Sequence, residues 1–116
     1  MSPEQRPTIE IPERLAQLGV TAEQIEAFCR RWKIRELAVF GSVLRDDFRD
    51  DSDVDLLVTY EESTRWGAFK LVDMRDDACG LFGREVDLVE RRLIARSKNF
   101  IRRREILRNA RRVYAA

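Results

Sequence analysis

Apolar residues recur along the chain with two periods, and the first period predicts helices. Between residues 22 and 32 the apolar positions are three, four and seven residues apart, which is typical of an amphipathic helix. Thr21 and Gln24 begin this segment in the TAEQ pattern of a capping box. A shorter helix is predicted between Pro12 and Gly19. The predicted buried face of the longer helix consists of Ile25, Phe28, Cys29 and Trp32.

Three shorter apolar runs are typical of strands. They are ELAVF (36–40), DVDLLVTY (53–60) and REVDLVE (84–90). Directly after the first run, Gly41 and Ser42 mark a turn. The VLRDDF segment that follows (43–48) predicts one or two helical turns before the second strand.

Two further helices are predicted in the second half of the chain. One covers residues 66–80, with Phe69, Val72 and Cys79 on its buried side. The tail from Arg92 is predicted to be helical, with arginines on one side and apolar residues on the other. Those apolar residues are Ile106, Leu107, Ala110, Val113 and Tyr114. Helices that alternate with strands predict an α/β fold with a small mixed sheet.

Length and composition add the domain organisation. A chain of 116 residues with 44% hydrophobic residues is sufficient for one core, so residues 12–116 are predicted to form a single domain. Residues 1–11 hold two prolines and no sustained period, and are predicted to be a flexible or loosely docked arm. No apolar segment has the length of a membrane span or the pattern of a signal peptide.

The residue types that are scarce narrow the chemistry. Histidine is absent, which excludes catalysis by Ser-His-Asp or Cys-His groups and leaves acid and base chemistry mainly to carboxylates. Cys29 and Cys79 are far apart and in no metal-binding spacing, so both are predicted to be small core residues in a reducing, cytoplasmic environment. The net charge of +1 hides a polarised distribution, because residues 91–116 hold ten arginines or lysines against Glu105 alone.

Carboxylates are concentrated around the second predicted strand. Side chains alternate across a strand, so Asp53 and Asp55 point to one face. Asp87 occupies the equivalent place in the third strand, where VDLV repeats the VDLLV pattern around Asp55. If these strands are neighbours, three acids meet, and such a group is unfavourable unless it binds a cation. Mg²⁺, which prefers oxygen ligands, is the expected occupant.

A complementary anion site is predicted at the turn before this cluster. Gly41 permits close approach of a phosphate to the backbone, and Ser42 offers a hydroxyl donor at the start of the predicted helical turns. An anion site beside a metal site is what a nucleoside triphosphate requires.

These residues resemble a known pattern. Gly41-Ser42, ten intervening residues and Asp53-Val54-Asp55 resemble the GS-x10-D-x-D signature of the polymerase-β-like nucleotidyltransferase superfamily, and Asp87 falls where the third carboxylate is expected. The short chain resembles the minimal nucleotidyltransferase (MNT) group, with the likeness covering about residues 22–115. The resemblance implies the nucleotidyltransferase (polymerase-β-like) fold and a Mg²⁺-dependent nucleotidyltransferase.

The resemblance also implies roles for individual residues. Gly41 and Ser42 would hold the triphosphate, and Arg45, at a position where MNT proteins often have arginine, would pair with a phosphate. The metal ligands and catalytic residues would be Asp53, Asp55 and Asp87. Two Mg²⁺ ions are implied, with Asp87 completing the second position and helping to deprotonate the acceptor hydroxyl.

Similarity to the MNT group further implies a partner and a substrate. Many such proteins are antitoxins encoded beside HEPN-domain ribonuclease toxins, and can transfer AMP from ATP to a tyrosine of the toxin. Two alternatives stay open on sequence: a non-catalytic antitoxin that blocks its partner by occlusion, and transfer to RNA or a small-molecule hydroxyl. The nucleotide base is not predicted.

Two local patterns allow other interpretations. Asp51, Asp53, Asp55 and Glu62 fit positions 1, 3, 5 and 12 of a calcium-binding EF-hand loop, but position 6 is Leu56 instead of glycine. The basic tail fits a solvated helix face, a nucleic-acid surface, or arginines at the edge of a nucleotide pocket or an acidic partner. Asp46, Asp47, Asp50 and Asp51 are interpreted as solvated turn residues.

Overall fold

The computed structural model describes residues 6–116, which form strands and helices in alternation. The strands are β1 (Thr8–Ile9), β2 (Ile34–Phe40), β3 (Val54–Tyr60), β4 (Val86–Glu90) and β5 (Arg111–Ala115). The α-helices are α1 (Glu13–Gln17), α2 (Ala22–Arg31), α3 (Ala68–Phe82), α4 (Arg91–Ala95) and α5 (Phe100–Asn109). A single 3-10 turn, Gly41–Leu44, follows β2.

All five strands join one mixed sheet in the order β1-β5-β2-β3-β4. β2 pairs antiparallel with both β3 and β5, whereas β3 and β4 are parallel. The crossover between the two parallel strands contains α3, as parallel strands require. The predicted α/β fold with a small mixed sheet is therefore confirmed.

The sheet has an apolar layer on each face. Leu37, Val39 and Leu56 belong to the larger cluster, which α1, α2 and α3 cover. Ala38, Phe40 and Leu57 alternate with them and face α4 and α5 through Ile94 and Ile106. Both faces of β2 and β3 are buried over residues 37–40 and 56–58, because each of these two stretches is continuously apolar.

Helix α2 has the boundaries and buried face that its pattern predicts. The Thr21 hydroxyl accepts from the Gln24 backbone N–H at 3.2 Å, and the Gln24 side chain accepts from the Thr21 backbone N–H at 3.0 Å. This capping box satisfies two backbone donors that a helix start leaves free. The predicted face is confirmed, since Ile25, Phe28, Cys29 and Trp32 are all buried.

The prediction for α3 was wrong about its buried side. Phe69 and Val72 are 90% and 58% exposed, and Cys79 is half-buried. The buried residues follow a four-residue spacing instead and are Met74, Ala78 and Phe82. Both sets have helical periodicity, so the pattern located a helix correctly but could not determine which side faces the sheet.

The prediction of a helical tail was wrong for its last residues. α5 ends at Asn109, and β5 then inserts between β1 and β2. Val113 and Tyr114 are buried in the sheet rather than on a helix. Val113 and Tyr114 are residue types that favour strands, and the pairing of β5 on both sides satisfies its backbone groups.

Part of the predicted N-terminal arm is paired with the sheet. Residues 1–5 lie outside the described residues, but Thr8 and Ile9 pair with Ala115 and Tyr114 of β5. The Glu10 N–H adds a bond of 2.9 Å to the Val113 carbonyl. This part of the arm is therefore an edge strand. Within residues 6–116 none of the helices has the length and apolarity of a membrane span.

Candidate functional site

Two of the predicted site carboxylates are direct neighbours across a parallel strand pair. Asp55 in β3 is in register with Asp87 in β4. Adjacent strands lie about 4.8 Å apart, so these side chains leave the sheet close to each other. Asp53 precedes β3 by one residue and is exposed, as is Asp87, whereas Asp55 is half-buried. The structure thus places Asp87 beside Asp55, and Asp53 near enough for its charge to act on Asp55.

The electrostatics of Asp55 reflect this crowding. Burial raises the pKa of its carboxyl above the ordinary value of 3.8, and the charges of Asp87 and Asp53 raise it further. Arg45 and Arg102 act in the opposite direction. Within residues 6–116 no hydrogen bond or ion pair to the three carboxylates is formed, so negative charge accumulates here without direct neutralisation.

This arrangement fits a metal ion that shares its ligands with a substrate. Among the described residues, no group of three acidic, histidine or cysteine side chains forms a complete cation site. Mg²⁺ is usually held by one or two carboxylates together with substrate phosphates, and it needs no closed protein cage. The mutually repelling pair Asp55 and Asp87 supplies oxygen donors of the required kind.

Gly41 is required at the turn that faces Asp55. Its φ of +77° is in the left-handed region that favours glycine, and a Cβ there would lie 2.2 Å from Asp55 Oδ2. Ser42 follows and is half-buried. The helical turns predicted after it are reduced to the 3-10 turn Gly41–Leu44, so no extended helix dipole points at this position. The feature that the structure does show at this turn is the close approach of the Asp55 carboxylate to the Gly41 backbone.

Residues 45–53 form the loop that connects this turn to β3. The Arg45 Nε donates to Asp47 Oδ1 at 3.1 Å, and both side chains are more than half exposed. The predicted solvated turn acids are indeed exposed: Asp46, Asp47, Asp50 and Asp51. An EF-hand loop is excluded, because Leu56 is a fully buried strand residue where that loop needs a glycine turn.

A cleft of about 560 Å³ lies between the Gly41–Leu44 turn and α5, and its lining includes Gly41, which faces Asp55, but none of the three carboxylates. This is within the size range of small-molecule sites. Its lining comes from Phe40, Gly41, Leu44 and Arg45 on one side and from Arg102, Glu105, Ile106 and Asn109 on the other. The cleft therefore combines an apolar floor with two arginines from opposite walls.

Arg102 is a site residue that the sequence reasoning did not single out. The Asn99 side chain caps α5 by accepting from the Arg102 backbone N–H at 3.1 Å, which fixes the first turn of the helix. The first turn of α5 places Arg102 at the cleft, where its positive charge acts to lower the pKa of Asp55. In the sequence, Asn99 is a typical helix N-cap residue three positions before Arg102. This pattern does not distinguish Arg102 from the other nine basic residues of the tail.

Trp66 and Tyr114, two large aromatic residues, are in structural positions. Tyr114 is buried. Trp66 is half-buried, donates its indole N–H to the Trp32 carbonyl at 2.9 Å, and packs edge-on against the Trp32 ring with centroids 5.5 Å apart. Both residues belong to the packing of the domain.

Comparison with known families agrees with this geometry. Residues 22–113 match the family model described as a nucleotidyltransferase domain. The chain belongs to the nucleotidyltransferase family. The resemblance inferred from the GS and DVD motifs is thereby confirmed, and so is the class of enzyme.

Individual relatives of this nucleotidyltransferase are similar over most of its length. The protein adenylyltransferase MntA of Thermococcus cleftensis is 36% identical over 60% of this chain and 77% of the relative. A structure described as a minimal nucleotidyltransferase is 33% identical, covers 82% of this chain and 87% of its own, and has a TM-score of 0.58. A toxin-antitoxin crystal structure with AMP-PNP shares the fold, at a TM-score of 0.62, 17% identity and coverage of 81% and 73%.

Proposed function

We propose that this nucleotidyltransferase transfers AMP from ATP to a tyrosine hydroxyl of a cognate HEPN-domain ribonuclease toxin in the cytoplasm, and so acts as its antitoxin. The observation that carries the proposal is the register pair Asp55 and Asp87 beside Gly41, next to a cleft with two arginines. Similarity to the MntA adenylyltransferase supports the choice of AMP and a protein acceptor.

The triphosphate is assigned to the turn and the arginines. Gly41 has no side chain between the turn and the Asp55 carboxylate, so a phosphate bound beside Asp55 would contact the backbone there, and Ser42 would offer its hydroxyl. Arg45 and Arg102 converge on the cleft from opposite sides, where guanidinium groups pair well with phosphate oxygens. These residues would orient the α-phosphate toward the carboxylates.

The carboxylates are assigned to metal binding and to proton transfer. Asp53, Asp55 and Asp87 would hold Mg²⁺ together with phosphate oxygens, and bound Mg²⁺ would polarise the α-phosphate and neutralise charge on the leaving group. Asp87 is exposed at the mouth of the site, so an acceptor hydroxyl can reach it. Its carboxylate is therefore proposed to assist deprotonation of the tyrosine.

The only reactants of the transfer step are ATP and the tyrosine hydroxyl. The tyrosine oxygen forms a bond to the α-phosphorus of ATP as the bond between that phosphorus and the bridging oxygen breaks. Pyrophosphate leaves with the electron pair, and the hydroxyl proton passes to Asp87 and then to water. The products are AMP-tyrosine on the partner and pyrophosphate.

The decisive experiment combines purified protein, Mg²⁺ and each α-labelled nucleoside triphosphate, with and without the HEPN partner. Intact-mass analysis should show one or more added AMP units on the partner, lost with Asp55→Asn. Asp51→Asn is the matched control, because it removes a neighbouring acid of the exposed turn. Transfer that persists in a folded Asp55→Asn protein would contradict the proposal.

The same experiment tests the alternatives. A stable complex without adduct, in which Asp55→Asn still neutralises the toxin without nucleotide, would replace transfer by occlusion; the exposed Phe69 and Val72 would be contact candidates in that case. Labelled RNA in the absence of a protein partner would instead identify a nucleic-acid acceptor.

A matched pair on α5 tests the nucleotide assignment. Arg102 lines the cleft, whereas Arg104 on the same helix is exposed outside it. A charge-assisted hydrogen bond contributes about 1.5–3 kcal/mol, so Arg102→Ala should weaken ATP binding roughly 10- to 100-fold. Arg104→Ala should leave calorimetric ATP binding unchanged, and equal losses in both variants would contradict a specific role for Arg102.

A further inference from the structure

Arg84 joins the start of β4 to the loop that leads into the site. Its Nη1 donates to the backbone carbonyls of Arg49 and Ser52, each at 3.0 Å. Its guanidinium also lies over the Phe48 ring, 4.6 Å from the centroid. Arg84 thus contacts residues 48, 49 and 52 of a loop that is more than thirty positions earlier in the sequence.

These contacts act directly on the backbone beside Asp53. The Ser52 carbonyl that Arg84 binds belongs to the peptide group joining Ser52 to Asp53. On the other side, the Val54 N–H donates to the Glu85 carbonyl at 3.0 Å. Residues 84 and 85 therefore hold both peptide groups that flank Asp53, while Asp87 on the same segment is the strand neighbour of Asp55.

The loop itself is ordered around the same atoms. The Ser52 N–H donates to the Arg49 carbonyl at 3.0 Å, and the Ser52 hydroxyl accepts from the Arg49 N–H at 2.9 Å. Arg14 stabilises the other part of the loop by binding the Arg45 carbonyl and lying 5.7 Å from the Phe48 ring centroid. Arg84 is the contact that connects this ordered turn to β4.

Arg84 is held in a half-buried position by its contacts with the loop. Its Nε is buried and has no hydrogen-bond acceptor in the described part of the chain, so the hydrogen bonds of the guanidinium to the loop are those of Nη1. The planar guanidinium lets one nitrogen bridge two carbonyls while the plane stacks on Phe48, which lysine cannot reproduce.

We propose that Arg84 is a positioning residue that fixes the backbone of Asp53 so that its carboxylate is pre-organised beside Asp55 and Asp87 for metal and nucleotide. This inference rests on the proposed function for the role of Asp53. Arg84 acts through the Ser52 carbonyl and does not contact substrate.

The test uses Arg84→Met, which keeps an apolar stem, Arg84→Lys, which keeps the charge, and Arg75→Met as control. Arg75 also binds the β4 backbone, at 3.4 Å to the Val86 carbonyl, but does not contact the loop. Hydrogen exchange of the Ser52 and Val54 amides measures loop order. Titration with Mn²⁺ in the presence of a non-hydrolysable ATP analogue, followed by NMR broadening at residues 53–55, measures metal binding without turnover.

Arg84→Met should exchange faster at Ser52 and Val54, and should need about 10- to 100-fold more metal for half-saturation of both binding and transfer. Arg84→Lys should be intermediate, and Arg75→Met should match the parent protein. Unchanged metal half-saturation in an Arg84→Met protein whose α2 amides remain protected would overturn the inference, whatever happens to stability.

The outcomes for Arg84 and for the proposed function can be separated. A parent protein that binds Mn²⁺ at residues 53–55 but transfers nothing contradicts the proposed function, and the Arg84 variants still answer the positioning question. A parent protein that shows no metal effect at these residues overturns the role assigned to Arg84 as well.

Discussion

Asp55, the second residue of β3, and the three residues that follow it are adjacent in sequence but have opposite surroundings. Asp55 is half-buried among like charges, and both burial and its neighbours raise its pKa. Leu56, Leu57 and Val58 follow immediately, are almost completely buried, and pack into the apolar clusters on both faces of the sheet. The middle of the strand therefore provides the stability that tolerates a repulsive cluster at its beginning, since Asp55 makes no hydrogen bond or ion pair within residues 6–116.

The largest expected effect is on stability and comes from the buried residues in the middle of β3. Leu56→Ala should lower the free energy of unfolding by about 2–5 kcal/mol, because it removes buried methyl groups and leaves a cavity. Chemical denaturation monitored by circular dichroism measures this loss. A decrease below 1 kcal/mol would show that the middle of β3 is not the source of stability.

A smaller loss of stability is expected from a substitution at Gly41, where the turn contacts Asp55. Gly41→Ala should cost about 1–2 kcal/mol because alanine is strained at a φ of +77°, and its Cβ would displace the Asp55 carboxylate. Gly19→Ala is the matched control, since φ is +87° and no atom lies within 4 Å of the new Cβ. Similar losses of stability, with transfer lost only in Gly41→Ala, are expected in denaturation and transfer assays.

The negative charge of Asp55 near the start of β3 should lower the free energy of unfolding. Because the pKa of Asp55 is raised on folding, the folded protein retains this proton more strongly, and stability falls as the pH rises from 3.8 through the folded pKa. Asp55→Asn removes the charge and should therefore raise the free energy of unfolding at neutral pH. Thermal melts below pH 3.8 should show no difference, and destabilisation at neutral pH would refute this interpretation.

The smallest expected effect is the difference between Asp87 and Asp53 in how much each raises the pKa of Asp55. Asp87 raises the pKa of Asp55 more than Asp53 does. Asp87→Asn should therefore lower the pKa of Asp55 further than Asp53→Asn, as measured by NMR titration of the carboxyl carbon. The reverse order would mean that the loop carboxylate approaches Asp55 more closely than the strand pair does.

The features that could be predicted from the sequence depend on local patterns. The capping box at Thr21, the strand around Asp55 and the turn at Gly41 each involve neighbours along the chain or a side-chain alternation. The VDLV repeat also indicated correctly that Asp87 would lie beside Asp55, because equivalent positions of parallel strands meet in register.

The features that could not be predicted depend on distant partners. β5 forms because β1 and β2 supply hydrogen bonds on both of its sides, and no local pattern in the tail reveals those strands. The side of α3 that is buried is determined by the sheet beneath it. Arg84 contacts a loop that begins 39 positions earlier, at Arg45, so its role is visible only in the folded chain.

The position of β5 between β1 and β2 has a consequence for synthesis of the chain on the ribosome. The segments of β2, β3 and β4 emerge first, but the outer edge of β2 has no partner until residues 111–115 follow. An unpaired strand edge can recruit other chains. At about 5–20 residues per second, the 21 positions from Glu90 to Arg111 take about 1 to 4 seconds. During that interval the nascent protein is most exposed to aggregation and to chaperone binding.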